Sequence, residues 1–178
     1  MNIQISVGEA LDRLSILEIK QKYIEDVVKK THIVNEIETL SEIQDSKIKY
    51  KYYYDLLVSV NTQIWNHTNV IKTLDSETVE YGKLAHTIFE LNQSRFRLKQ
   101  IVNTASSSLI QEQKSYAVTW TVVDLKDTEV IDIQKFSELS LQYDRVQIYC
   151  STKKRLEFET LIPKFNYVFL QYSDVFRL

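Results

Sequence analysis

An α+β fold is predicted: an N-terminal four-helix domain followed by a small β-α-β-α-β unit with a three-stranded parallel sheet. Three observations predict it. Apolar residues recur with helical spacing from residue 7 to about 110. From about 115 onward, β-branched and aromatic runs alternate with short helical patterns, the order of a parallel sheet with right-handed crossovers. Only two Gly and one Pro occur in 178 residues, which favours long uninterrupted helices. The domains expected are 1–112, helical, and 113–178, α/β, with Thr104-Ala105-Ser106-Ser107-Ser108 as the most linker-like stretch before the change of texture.

The first helix opens at Ser6-Val7-Gly8-Glu9, which has capping-box spacing: Ser6 accepts from the Glu9 backbone and Glu9 reaches back. It is expected to run to about Lys29. A second helix is predicted over 33–43 and a third over 47–71, carrying Tyr52, Leu56, Val60 and Trp65, the last expected in the core. Leu74-Asp75-Ser76-Glu77 supplies a stop and a new cap, and the fourth helix runs from there to about Thr104. Strands are predicted over 118–123, 146–150 and 167–171, with helices over 133–143 and 153–165 between them. The predicted strand order is 2-1-3 if the two crossovers lie on opposite faces. Asn2 to Ser6 offers a further edge strand.

The net charge of −2 advertises no general nucleic-acid surface. Lys47-Ile48-Lys49-Tyr50-Lys51-Tyr52-Tyr53-Tyr54 interleaves basic and aromatic residues, but on a helix its charges spread over a solvated face, so nucleic acid is not an expected partner. A single cysteine, Cys150, excludes an intrachain disulfide and fits a reducing compartment. No apolar run approaches a membrane span and no signal-peptide layout opens the chain. A cytoplasmic protein without membrane association is expected. His32, His67 and His86 are scattered with no carboxylate or Cys at ligand spacing, so no metal and no cofactor is expected.

The helix-four pattern holds an anomaly. Leu84, Ile88, Leu91, Leu98 and Val102 define an apolar arc, widened by Ala85, Phe89 and Phe96. Asn92, Arg95, Lys99 and Asn103 recur at i, i+3, i+7 and i+11 in the middle of it. Buried charge is costly unless it is paired or holds a ligand. The first helix mirrors this: Leu11, Leu14 and Leu17 mark its core arc, and Glu18, Gln21 and Glu25 project between them.

Leu84-Ala85-His86-Thr87-Ile88-Phe89-Glu90-Leu91-Asn92, then Arg95, Leu98-Lys99 and Asn103, resembles the signature helix of an uncharacterised family of small, mostly helical proteins of bacteria and their phages. Val7 to Lys20 resembles its opening helix, and Gln111-Glu112-Gln113-Lys114-Ser115-Tyr116 the segment that closes it. The resemblance spans 6–116 and leaves the α/β tail outside. It departs around Trp65, where Thr68 and Asn69 stand in place of the family's acidic pair. It implies no established activity, and by association a place beside glycan or surface-polysaccharide machinery.

Two readings of the stripe stand open. In one, Glu18 and Glu25 answer Arg95 and Lys99 in an interhelical network. In the other, Arg95, Lys99 and Lys114 hold a phosphate or carboxylate in a cleft, oriented by Asn92 and Asn103. The candidate ligand-binding residues are therefore Asn92, Arg95, Lys99, Asn103, Lys114 and Glu18; none is assigned a catalytic role. In the tail, Asp124 with Asp127, Ser151 with Thr152, and Ser173 with Asp174 follow the strands, but no phosphatase or phosphate-loop motif is formed. The expected function is a non-enzymatic interaction or accessory module, or else a binder of, or enzyme acting on, a small anionic ligand. Partners are a protein or such a ligand. A homodimer through the C-terminal third is expected; Tyr167, Phe169, Tyr172 and Phe176 either supply its apolar surface or face the helical half.

Overall fold

A computed structural model of the chain describes residues 4–110, 112–113, 118–162 and 166–170. Lys114, Tyr172, Ser173, Asp174 and Phe176 lie outside them, as do Asn2 and Ile3 of the possible edge strand. The chain divides into two compact units, Met1–Glu112 and Gln113–Leu178.

In the first unit, α1 (Val7–Tyr23) is capped by Ser6, whose side chain accepts from the Glu9 backbone at 3.1 Å. It stops six residues short of the expected Lys29 because Ile24 is extended and Asp26 caps a new helix, accepting from Lys29 N. That helix, α2 (Val27–Thr39), begins well before the expected residue 33 and buries only Ile33. A 3-10 turn (Ser41–Ile43) leads into the short α3 (Gln44–Lys49). Tyr50 then leaves helical geometry, so the single third helix expected over 47–71 is broken there, and α4 (Lys51–Ile71) follows. The last helix, α5 (Val79–Ala105), starts on a Thr78 cap.

Helices α1, α4 and α5 form the packed heart of this unit, burying Leu11, Leu14, Leu57, Leu98 and Val102 completely. The 27 residues of α5 extend about 40 Å. The 17 of α1 extend only about 25 Å. Burial on α5 accordingly falls off towards its start: Leu84, Ile88 and Leu91 are half-buried, and Phe89 is exposed. Among the described residues no helix is long and apolar enough to cross a membrane.

In the second unit, β1 (Trp120–Asp124), β2 (Arg145–Tyr149) and β3 (Tyr167–Leu170) form a parallel sheet, connected by α6 (Ile133–Gln142) and α7 (Thr152–Leu161). The order is β1-β2-β3, not 2-1-3. Two right-handed crossovers that step in the same direction put both helices on one face. Their meeting is direct: Phe136 of α6 and Phe158 of α7 pack edge-on at 4.7 Å over the buried Val146 and Ile148. Tyr167 and Phe169 pack against the same cluster, so they serve the core of this unit and not a contact surface.

Candidate functional site

The polar stripe of α5 is progressively buried along the helix: Asn92 and Arg95 are half-buried, Lys99 and Asn103 buried. Its four residues have three different fates.

The Asn103 and Lys99 end locks α1 to α5. Gly8 N donates to Asn103 Oδ1 at 2.8 Å, and Val7 N to Ser108 Oγ at 3.2 Å. Together with Ser6, these satisfy three N–H groups that the start of a helix leaves without partners. The two helices run in opposite directions here and approach closely at Gly8, where a Cβ would collide with the Lys99 carbonyl oxygen and stand 2.7 Å from Asn103 Oδ1. Lys99 Nζ pairs with Glu9 Oε2 at 2.9 Å and Glu112 Oε2 at 2.7 Å. Burial pulls the Lys99 pKa down, but Glu112 and then Glu9 outweigh it, and the net shift is upward. Glu9 thus serves Lys99, and not the reciprocal half of the capping box.

Asn92 is turned to its own helix, donating to the Ile88 carbonyl at 2.8 Å. Glu18, expected to answer Arg95 and Lys99, pairs instead with Lys47 at 2.6 Å, and that Lys47 ammonium also lies over the Tyr54 ring. Burial and the adjacent Glu18 raise the Tyr54 pKa. Glu25 is exposed in the break after α1. Arg95 and Lys99 do meet carboxylates of α1, but these are Asp12 and Glu9, with Glu112 beside them, and not the expected Glu18 and Glu25. Glu18 stands six residues beyond Asp12, at another angle around α1, and pairs with Lys47 of the unforeseen helix α3.

Arg95 has the third fate. Its Nε stands 3.9 Å from Asp12 Oδ2, an ion pair too long for a hydrogen bond. Asp12 is buried and better engaged by Asn61, whose Nδ2 donates to Asp12 Oδ1 at 2.8 Å and to Ser15 Oγ at 2.7 Å. Burial pushes the Asp12 carboxyl up despite the opposing pull of Asn61 and Arg95. A carboxylate only accepts, so the Asn61 amide must turn its nitrogen to Asp12. That leaves Asn61 Oδ1 buried with no partner among the described residues.

Arg95 and Asn61 both line a cavity of about 190 Å³ in this unit. Ile16 and Ile19 of α1 and Ile64 and Trp65 of α4 form its apolar walls, with Thr68, Asn69 and Lys72 along one side. Trp65 is therefore a cavity wall, half-buried and stacked on Tyr23 at 6.0 Å, and not a core residue. Asp12 and Asn61 escaped sequence reasoning, yet a signal was there. Gly8, Asp12 and Ser15 recur at i, i+4 and i+7, a small and polar face beside the leucine arc.

The interleaved Lys-Tyr run is also internally engaged: Lys47 pairs with Glu18, Lys51 with Asp55, and Lys49 lies over Tyr50. In the second unit, Ser151 caps α7 and donates to Asp127 at 2.6 Å, so the residues after β1 and β2 are engaged in a loop cap.

No curated protein and no solved structure matches the chain. A family model does match it, over residues 1–125, which takes in all of the first unit and continues past the resembling segment through β1. The chain belongs to that family, the family of unknown function DUF6165.

Proposed function

We propose that this protein is a non-enzymatic binding module whose helical unit takes a small anionic ligand at Arg95. One observation carries the reading. Arg95 has five donors and, among the described residues, only the long approach to Asp12, yet it lines a cavity and keeps 29% of its side chain exposed. The neighbouring carboxylates are already occupied, Asp12 by Asn61 and Glu9 by Lys99, which supports binding over turnover. Its proposed setting is the glycan or surface-polysaccharide machinery that the sequence resemblance implies.

A thermal-shift screen of sugar phosphates, nucleotides, nucleotide sugars and carboxylic acids tests it. At a concentration 100-fold above Kd a true ligand stabilises by about 2.7 kcal/mol. At least one class is expected to stabilise the wild type and not Arg95→Gln, with the probe recovered unchanged. Arg95→Gln alone is expected to cost under about 1 kcal/mol, since its ion pair is long and partly exposed. A screen with no anion-dependent shift, or a probe recovered as product, sinks the reading.

A second observation favours self-association through the C-terminal unit. Trp120, Val122 and Val168 face away from the α6–α7 side of the sheet, and Trp120 is 60% exposed. Among the described residues β1 and β3 are open edges. We propose a homodimer on this face. Sedimentation should show a dimer at micromolar concentration and a monomer for Trp120→Asp; a wild type that stays monomeric at high micromolar concentration ends the idea.

A further inference from the structure

The cavity beside Arg95 restricts which anion fits, and we propose that its ligand is a monocarboxylate on a compact apolar body. This inference rests on the reading of Arg95 as an anion-binding residue.

Size comes first. A cavity of about 190 Å³ exceeds only slightly the roughly 150 Å³ that holds a benzene molecule. It falls short of the roughly 300–1,000 Å³ of pockets that enclose larger ligands. One ring or one branched chain fills it; a nucleotide or nucleotide sugar does not.

Wall chemistry comes second. Ile16, Ile19 and Ile64 offer nothing to a sugar's hydroxyl groups and Trp65 offers one indole N–H, so most hydroxyl groups set against this wall would be buried unpaired, at a cost. An isobutyl or phenyl group gains from the same surface about 25 cal/mol per Å² removed from water.

Charge comes third. Arg95 and Lys72 are the cations on the lining, and Asp12 stands 3.9 Å behind Arg95. The balance is one positive charge. That answers a single carboxylate and leaves a phosphate dianion under-compensated in a partly desolvated place. Geometry agrees: the planar guanidinium fork presents paired donors that match the planar carboxylate.

The lining also carries a specificity element. Asn61 lines the cavity, and its Oδ1 is a buried acceptor without a partner among the described residues; a donor brought by the ligand reaches it once the amide shifts toward the cavity, and such a group gains most from one. A hydroxyl or amide N–H next to the carboxylate supplies one. Two sources share this chemistry: a free hydroxy or acylamino acid, and the C-terminal leucine or phenylalanine of a peptide.

Trp65 makes the test direct. The chain has two tryptophans, and Trp120→Phe leaves Trp65 as the sole indole, on the cavity wall. In that full-length background, fluorescence is titrated with 4-methylvalerate, its 2-hydroxy derivative, acetyl-leucine, and the peptide acetyl-Ala-Ala-Leu. The uncharged 4-methylvaleramide, inorganic phosphate and glucose 1-phosphate serve as contrasts. Ligand-observed NMR repeats each titration without relying on tryptophan.

Saturable binding of the acids is expected, tighter for the hydroxy and acylamino forms, and weakened at least tenfold by Arg95→Gln and by the cavity-filling Thr68→Leu. Tighter binding of acetyl-leucine than of the peptide identifies a free acid; the reverse identifies a chain terminus. Binding of phosphate or glucose 1-phosphate without the carboxylates overturns the ligand class and leaves the anion site standing. Equal binding of the acid and its amide, or no response from any probe with folded protein, overturns both.

Discussion

Gly8→Ala is expected to cost about 3 kcal/mol, the upper end for overpacking a close contact. The added methyl would occupy the space of the Lys99 carbonyl oxygen and press on Asn103 Oδ1. Neither neighbour can yield cheaply. The carbonyl belongs to the backbone of α5, and Asn103, 1% exposed, is the acceptor for Gly8 N. Separating the helices enough to admit the methyl would stretch that bond and the Lys99–Glu9 pair together. The other glycine supplies a control of opposite sign. Gly82 lies inside α5 with nothing within 4 Å of a Cβ. Alanine there should stabilise by about 0.5–1 kcal/mol through reduced chain entropy. Urea unfolding of both variants reads the difference. A Gly8→Ala protein as stable as Gly82→Ala would mean that α1 and α5 do not meet at Gly8.

The same contact shows how far sequence reasoning reaches. Helical spacing, the Ser6 cap and the alternation of the tail were legible because they depend on neighbours along the chain. The break at Ile24 was not: helical spacing puts Glu25 on an acidic stripe, whereas Asp26 is a cap and Glu25 lies in the break before it. Tyr50 carries no breaker signature, and its departure from helical geometry separates α3 from α4. Strand order depended on which faces Phe136 and Phe158 share, a property of the packed unit. The stripe on α5 was visible as an anomaly, but which carboxylates answer it depends on the crossing of two helices. Gly8 sets that crossing. It brings Glu9 and Asp12 opposite Lys99 and Arg95, and Glu18, two turns further along α1, falls to Lys47.

Lys99→Met is the sharpest probe of the locked end, with an expected loss of about 2–3 kcal/mol at neutral pH. Breaking a fully buried pair costs about 3–5 kcal/mol because a charge is left stranded. Here the stranded partners, Glu9 and Glu112, keep 46% and 42% of their side chains exposed, so water recovers part of the cost. The remainder comes from two carboxylates left facing one another near Asp12 after their shared cation is gone. Methionine keeps most of the volume, which separates charge from packing. Alkaline pH gives a second readout with a definite sign. Burial lowers the Lys99 pKa, yet Glu112 and Glu9 more than offset it, so the folded value lies above the ordinary 10.5. A group whose pKa is raised on folding contributes stability that is complete below its unfolded value and lost as pH rises through the folded one. The gap between wild type and Lys99→Met should therefore hold steady from neutrality to about pH 10 and close above 10.5. Guanidinium unfolding of the two proteins across that range measures it. A gap that persists undiminished after Lys99 has lost its proton would assign the stabilisation to the aliphatic stem, and the two-carboxylate lock would have to be given up.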